Sequence, residues 1–218
     1  MTSDPARGLR RKARKRDREV LDAAVSVFFE HGYDAASVQD IADRLSMLKG
    51  SLYHYIETKE DLLHRIVLEV NEGSEAVERS VVAEPDLGPL QRLDLYVHRQ
   101  LDYNLSHRKQ IAIYFDDAAR LSPARRRDVQ YRLAENEKFV AALIHAAQDA
   151  GLVDPGLDPA LYAQLVLGTM VWVNRTYRPG RGPGRDALIA ACARYAVHGV
   201  AAVTQSRPAP GLAFDRNL

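Results

Sequence analysis

Ser37-Val-Gln-Asp-Ile-Ala-Asp-Arg-Leu-Ser-Met-Leu-Lys-Gly-Ser-Leu-Tyr-His-Tyr-Ile-Glu-Thr-Lys-Glu-Asp-Leu62 is the stretch on which the fold turns. Behind Ser37, a residue of N-cap type, Val38, Ile41, Ala42 and Leu45 recur with the helical period and define a short helix. Ser46 and Met47 leave room only for a tight turn. A further helix over about 48–55 then carries Leu48, Leu52 and Tyr55 on one inward stripe. Thr58 caps a helix that starts near Lys59, with Leu62, Leu63, Ile66 and Val70 inward. Two short helices joined by a tight turn form a helix-turn-helix, whose second member enters the major groove of double-stranded DNA.

The outward face of that second helix carries Lys49, Gly50, Ser51, Tyr53 and His54, with Tyr55 beside the groove. It offers a cation, a residue with no side chain to hold the backbone off, and three hydrogen-bonding groups, which suits phosphates and base edges. Ser37 and Lys59 sit at helix N-termini, where free N–H groups and the positive dipole end attract phosphate. Upstream, Leu21, Ala24, Val25 and Phe28 predict an amphipathic helix from about Asp17 to Glu30, closed by Gly32. Residues 1–18 hold eight basic side chains against two acidic ones, so an acidic body of 200 residues follows a polyanion-binding segment.

Downstream, every periodic segment is again helical. Helices are predicted from Pro89 to about Ser106, from Arg108 to Leu121, from Pro123 to Gly151, from Pro159 (capped by Asp158) to about Tyr177, and from Asp186 to Val203. Residues 178–184 alternate glycine, proline and arginine and form a loop. No alternating strand pattern or internal repeat interrupts this. The fold class is all-α with about nine helices, divided into a basic disordered arm (1–15), a helix-turn-helix DNA-binding domain (16–63), a ligand-binding and dimerisation domain (64–205) and a flexible tail (206–218).

The 218 residues are 46% apolar with a net charge of +1, which excludes wholesale disorder. The longest apolar run, Leu165 to Val173, falls short of the ~20 residues that span a bilayer, so no membrane association is expected. A single cysteine, Cys192, reads as a small core residue, and the N-terminus lacks a secretory pattern. Together these place the chain in the cytoplasm. No metalloprotease pair, nucleophile elbow or phosphate-cradling glycine loop is present, and adjacent Asp116 and Asp117 point about 100° apart on a helix. The sequence therefore indicates no enzyme and no cofactor.

Ser37-Val-Gln-Asp-Ile-Ala42, Gly50-Ser-Leu-Tyr53-His54-Tyr55 and Lys59-Glu60-Asp61-Leu62 resemble the DNA-binding segment of the tetracycline-repressor (TetR) family, over about residues 16–64. Ser46-Met47-Leu48 departs from the family, which usually has a glycine, a β-branched residue and a serine or threonine cap there. The resemblance implies a homodimeric transcriptional repressor on a palindromic operator, released when its larger domain binds a small-molecule effector. Ile113-Tyr114-Phe-Asp-Asp-Ala-Ala-Arg-Leu121 and Arg175-Thr-Tyr177-Arg178-Pro179-Gly180 further resemble TetR-type repressors of steroid and fatty-acid breakdown, whose inducers are acyl-CoA thioesters.

On that basis an apolar cavity is expected among the helices after Pro89, lined by Tyr103, Tyr114 and Trp172, with Arg175 and Arg178 as anchors for anionic groups. A two-fold dimer is expected, built mainly from the last two helices as a four-helix bundle, with Leu188, Ala191, Cys192, Tyr195, Val200 and Val203 as the apolar surface of the last helix. Two alternatives remain at this level: a repressor of an efflux or other catabolic operon answering a neutral apolar ligand, and a DNA-binding protein that needs no effector.

Overall fold

The computed structural model describes the backbone of residues 5–201 and side chains from residue 14 onward. Nine α-helices run through them: α1 Pro5–His31, α2 Val38–Arg44, α3 Lys49–Leu52, α4 Lys59–Val82, α5 Pro89–Ser106, α6 Arg108–Asp117, α7 Pro123–Asp149, α8 Pro159–Thr176 and α9 Arg185–Ala201. A 3₁₀ turn, Ala118–Arg120, joins α6 to α7. No strand occurs among the described residues.

Three boundaries differ from the sequence reading. Helix α1 begins at Pro5 rather than near Asp17, so residues 5–15, expected as a disordered arm, continue the helix. Proline at the first helical position followed by arginine, lysine, alanine and leucine favours that extension. Helix α3 has only four residues rather than eight. Helix α4 crosses the expected domain boundary at residues 63 and 64 without a break. The tail at 206–218, and Val203, lie outside the described residues.

The chain forms two compact units, each discontinuous in sequence: residues up to 77 with 103–135, and residues 78–102 with those from 136 onward. In the first unit, Val20, Leu21, Ala24 and Phe28 of α1 pack with Ile41 and Ala42 of α2, Leu52 of α3, and Leu62, Leu63 and Ile66 of α4. Ile111, Ile113 and Tyr114 of α6, with Leu121 and Val129, extend the same core. The residues that the helical spacing turns inward on α1, α2 and α4 are buried, except Val38 and Leu45 of α2, which are partly buried against the same core. In the second unit, fully buried Tyr96 of α5 lies 5.5 Å from the Phe139 ring of α7 and exchanges hydrogen bonds with Asn136. Arg185 at the start of α9 donates to the Asp102 carbonyl and carboxylate, both at 2.7 Å.

Helix α9 corrects the expected dimer surface. It buries Ile189, Cys192, Ala193, Ala196 and Val200 within its own protomer, so Cys192 and Val200 belong to the core while Ala191 and Tyr195 face outward. Because α9 is alanine-rich and apolar nearly all round, its composition carries no phase from which the inward side can be read.

Tyr103 also departs from expectation. Its ring lies over Gly73 of α4 and 4.4 Å from the His107 ring, and its hydroxyl donates to the Glu69 carbonyl at 3.2 Å. Burial pushes its phenol up to about 12. Tyr103 is thus committed to helix packing. A Cβ at position 73 would stand 2.1 Å from the ring, so the α4–α5 approach requires glycine. Gly73→Ala is expected to destabilise the protein by about 1–3 kcal/mol through overpacking, although alanine is the better helix former. Tyr103→Leu in the same chain should recover most of that loss, as measured by denaturant midpoints in a double-mutant cycle.

Candidate nucleic-acid interface

Helices α2 and α4 are each started by local chemistry. Ser37 and Asp40 form a reciprocal capping box on α2: the Asp40 amide donates to Ser37 Oγ at 3.2 Å, and the Ser37 amide donates to the Asp40 carboxylate at 2.7 Å. The Ser37 hydroxyl also donates to that carboxylate at 2.8 Å, and these bonds hold the Asp40 carboxyl below its usual range. Thr58 and Asp61 repeat the arrangement at the start of α4. Between α2 and α3, the Met47 amide donates to the Ala42 carbonyl at 2.9 Å, and Ser46 takes a left-handed φ of 52°. Ser46 stands where the family usually has glycine, so the turn keeps its left-handed geometry on a side chain that disfavours it.

Lys49, Gly50, Tyr53 and His54 are exposed, and nothing lies within 4 Å of a Cβ placed on Gly50. That leaves α3 an open face for close backbone approach. Ser51 is half-buried, and Tyr55 packs against the core cluster, which turns it away from that face. Leu48, expected inward, is 80% exposed. It is the N-cap of α3, makes no capping bond and lies outside the helix whose phase was used to place it. Leu48 is thus an exposed apolar side chain beside the open face of α3, a placement the sequence reading missed. The clue was the departure at Ser46-Met47-Leu48 itself.

Lys59 behaves differently from the reading at its position. Its ammonium donates to the carbonyls of Tyr33 and Ala36, both at 2.8 Å, and lies 4.3 Å from the centroid of the Tyr33 ring. Its charge closes the α1–α2 loop, leaving the backbone amides of the α4 N-terminus as the anion-attracting feature there. The described cations of the basic segment are partly paired as well: Arg16 with Glu19 at 2.8 Å, and Arg18 with Glu69 at 2.8 Å and Asp22 at 2.9 Å. The side chains of Arg7, Arg10, Arg11 and Lys12 lie outside the described residues.

The α6–α7 corner fastens this module. Arg120 pairs with Asp34 at 2.6 Å, the Ser122 amide donates to Glu60 at 3.0 Å, and Arg125 bridges Asp61 at 2.7 Å and Glu60 at 3.2 Å. The Ser122 N–H, foremost, holds the Glu60 carboxyl low, and the Arg125 guanidinium does the same for Asp61.

The candidate ligand residues fall into different units. Tyr114 is buried in the first unit, at the end of α6, and Tyr103 is in the same unit. Trp172, Arg175 and Arg178 belong to the second. Trp172 is 67% exposed on α8, which is incompatible with a cavity wall inside its unit. Arg178 folds back to donate to the carbonyls of Arg175 and Tyr177 at 2.8 and 2.9 Å.

A helix-turn-helix with an open second helix, held by longer helices, defines a DNA-binding transcriptional regulator rather than an enzyme. Residues 20–66 match the family described as bacterial regulatory proteins, tetR family, and residues 86–200 match the tetracyclin repressor-like C-terminal domain. The HTH-type transcriptional repressor KstR2 of Mycobacterium tuberculosis is 32% identical over 167 residues, covering 76% of this chain and 82% of that protein. KstR2 of Rhodococcus jostii is 30% identical over 184 residues, covering 83% and 88%. The solved ketosteroid regulator KstR2 of M. tuberculosis superposes with a TM-score of 0.79 at 28% identity, over 85% of this chain and 95% of that one. AibR, solved with isovaleryl coenzyme A and operator DNA, gives 0.73 at 28% identity over 85% and 98%. The chain belongs to the TetR family of transcriptional regulators. No helix among the described residues is long and apolar enough to cross a membrane.

Tyr53→Ala is expected to weaken binding to a palindromic operator selected from random DNA by about 1–3 kcal/mol in gel-shift titration, with the fold unchanged by circular dichroism. The Glu60 and Asp61 carboxyls are depressed in the folded state, so their contribution is present above their ordinary values near 4 and is lost as pH falls through the lower folded values. Arg125→Ala should therefore lower the melting temperature at pH 7, and the difference from the unaltered protein should shrink as the scans move from pH 5 to pH 3.

Proposed function

We propose that this protein is a cytoplasmic, ligand-responsive repressor that binds a palindromic operator as a homodimer and is released by an acyl-CoA thioester. The observation that carries the effector class is the likeness over 85% of the chain to a regulator solved with isovaleryl coenzyme A and operator DNA. The KstR2 repressors, similar over comparable lengths, support it. Arg175 and Arg178, at the C-terminal end of α8, are the proposed phosphate anchors, since guanidinium forks match phosphate oxygens. On the DNA side, Lys49, Gly50, Ser51, Tyr53 and His54 meet the groove, while Ser37 and the α4 N-terminus approach the backbone.

The dimer reading rests on α8 and α9. Leu161, Leu165, Gly168 and Trp172 recur at four- and three-residue spacings along α8; the first two are 50% and 56% exposed, and Tyr195 of α9 is 68% exposed. An apolar stripe of that kind on a water-facing helix marks an association surface, and a second copy presents the same stripe about a two-fold axis. The two-fold relation also matches a palindromic site. Release requires the effector to prefer the state whose recognition helices are wrongly spaced, because equal affinity for both states shifts nothing.

The test is titration of the protein–operator complex with acyl-CoA esters of graded chain length and with the matching free acids. Thioesters should dissociate the complex and free acids should not. Arg175→Ala and Arg178→Ala should each raise the thioester concentration required by about tenfold, the weight of one charge-assisted contact, without changing operator affinity in its absence. Release by a neutral apolar compound or free acid alone would favour the efflux-type alternative, and release by nothing would favour an effector-independent protein.

A further inference from the structure

The loop of residues 32–36, which leads from α1 into Ser37 and α2, is held from outside by charges of opposite sign. Lys59, at the start of α4, donates to the carbonyls of Tyr33 and Ala36, both at 2.8 Å, and the Asp34 carbonyl lies 3.5 Å from the same ammonium. An ammonium has three N–H donors, so the carbonyls of one loop take up the whole set, and the Tyr33 ring covers the charge at 4.3 Å. Asp117, at the end of α6, is buried, and its carboxylate accepts a hydrogen bond from the Tyr33 amide. Arg120 draws on the same loop through Asp34 and lies 3.7 Å from the Asp117 carboxylate. All of these residues belong to the first unit. Tyr33 thus has its amide, its carbonyl and its ring engaged by side chains of α4 and α6.

We infer that Lys59 and Asp117 are positioning residues for operator recognition, which hold the 32–36 loop and through it α2, and that neither charge contacts DNA. Ala36 offers its carbonyl to Lys59 and is joined by one peptide bond to Ser37, the cap of α2. The tight turn after α2, closed by the Met47 amide on the Ala42 carbonyl, passes that placement to α3 and its exposed face. Drawing the ammonium out to a phosphate would leave two loop carbonyls without their donor, a loss larger than the gain from one solvent-exposed ion pair. Base contacts need their partners within hydrogen-bond distance and in one orientation. A small shift of α2 and α3 therefore costs sequence reading while leaving the diffuse attraction to phosphates in place. The opposite signs of the two charges make this separable from a field effect. A cation acting through its field attracts every duplex and a carboxylate repels it, so their removal shifts affinity in opposite directions. Removal of two positioning groups shifts operator affinity in one direction.

The experiment measures, by fluorescence anisotropy across a salt series, binding to an operator selected from random DNA and to an unrelated duplex of equal length. Lys59→Met keeps the apolar stem and Asp117→Leu keeps the bulk. Each should weaken operator binding by about tenfold, leave the unrelated duplex within about twofold, and leave the slope of log affinity against log salt unchanged. Asp117→Asn retains an acceptor for the Tyr33 amide without the charge; it should keep most of the operator affinity, and it provides a reading if the leucine variant does not fold. A slope lowered by about 0.9, with both duplexes weakened alike, would make Lys59 a phosphate contact and overturn the inference. Tighter binding of both duplexes by either Asp117 variant would overturn it too, being the sign of a relieved repulsion, as would unchanged operator affinity in Lys59→Met or Asp117→Leu. If the unaltered protein selects no sequence from random DNA, it is operator binding, on which this inference rests, that fails, a separate outcome.

Discussion

A helix of four residues cannot hold itself in water. Forming the first turn fixes several dihedral angles for a single hydrogen bond, and α3 has one turn in all. Its existence depends on Leu52, fully buried against α1, α2 and α4, and on a turn whose amides are taken up by the carbonyls of α2. The exposed side chains of α3 are presented in one geometry because the opposite side of so short an element is locked into a core made elsewhere. The body of the first unit, down to Ile111 and Tyr114 of α6, is the continuation of that core.

Electrostatics then sets where the module sits on its neighbours. Lys59 closes the α1–α2 loop through carbonyls, Arg120 reaches Asp34 in the same loop, and Arg125 with the Ser122 amide holds the acidic first turn of α4. Carboxylates at a helix N-terminus already favour the dipole, so Glu60 and Asp61 serve the helix and the corner together. These charges hold the loops of the first unit to one another, and Lys59 shows that a cation at a helix N-terminus can be committed to backbone carbonyls. Its ammonium is a better match to the open carbonyls that follow α1 than to solvent.

The second unit follows a different logic. Helices α8 and α9 are apolar on more than one side, so each keeps apolar surface beyond what it buries within its own unit. Asn174, Ala163 and Met170 of α8 are turned inward while Leu161, Leu165 and Trp172 are turned out, so the two sides have different work although both are hydrophobic.

How much of this was legible depends on whether the signal was local. Capping by Ser37, Thr58 and Asp158, the inward sets on α1, α2 and α4, the left-handed Gly32 and the helix starts at Pro89, Pro123 and Pro159 are decided within a few residues, and the linear chain carried them fully. The polar face of Lys49, Tyr53 and His54 was legible for the same reason. The internal use of Lys59, the packing role of Tyr103 against Gly73, and the division of Tyr114 from Trp172 between units each depend on residues distant in the sequence, and the exposure of Leu48 on how short α3 is. Helical periodicity states that a residue faces some neighbour. Only the tertiary structure says whether that neighbour is the protomer's own core, a carbonyl awaiting a cation, or water, because burial is a property of the assembled surface and not of the chain.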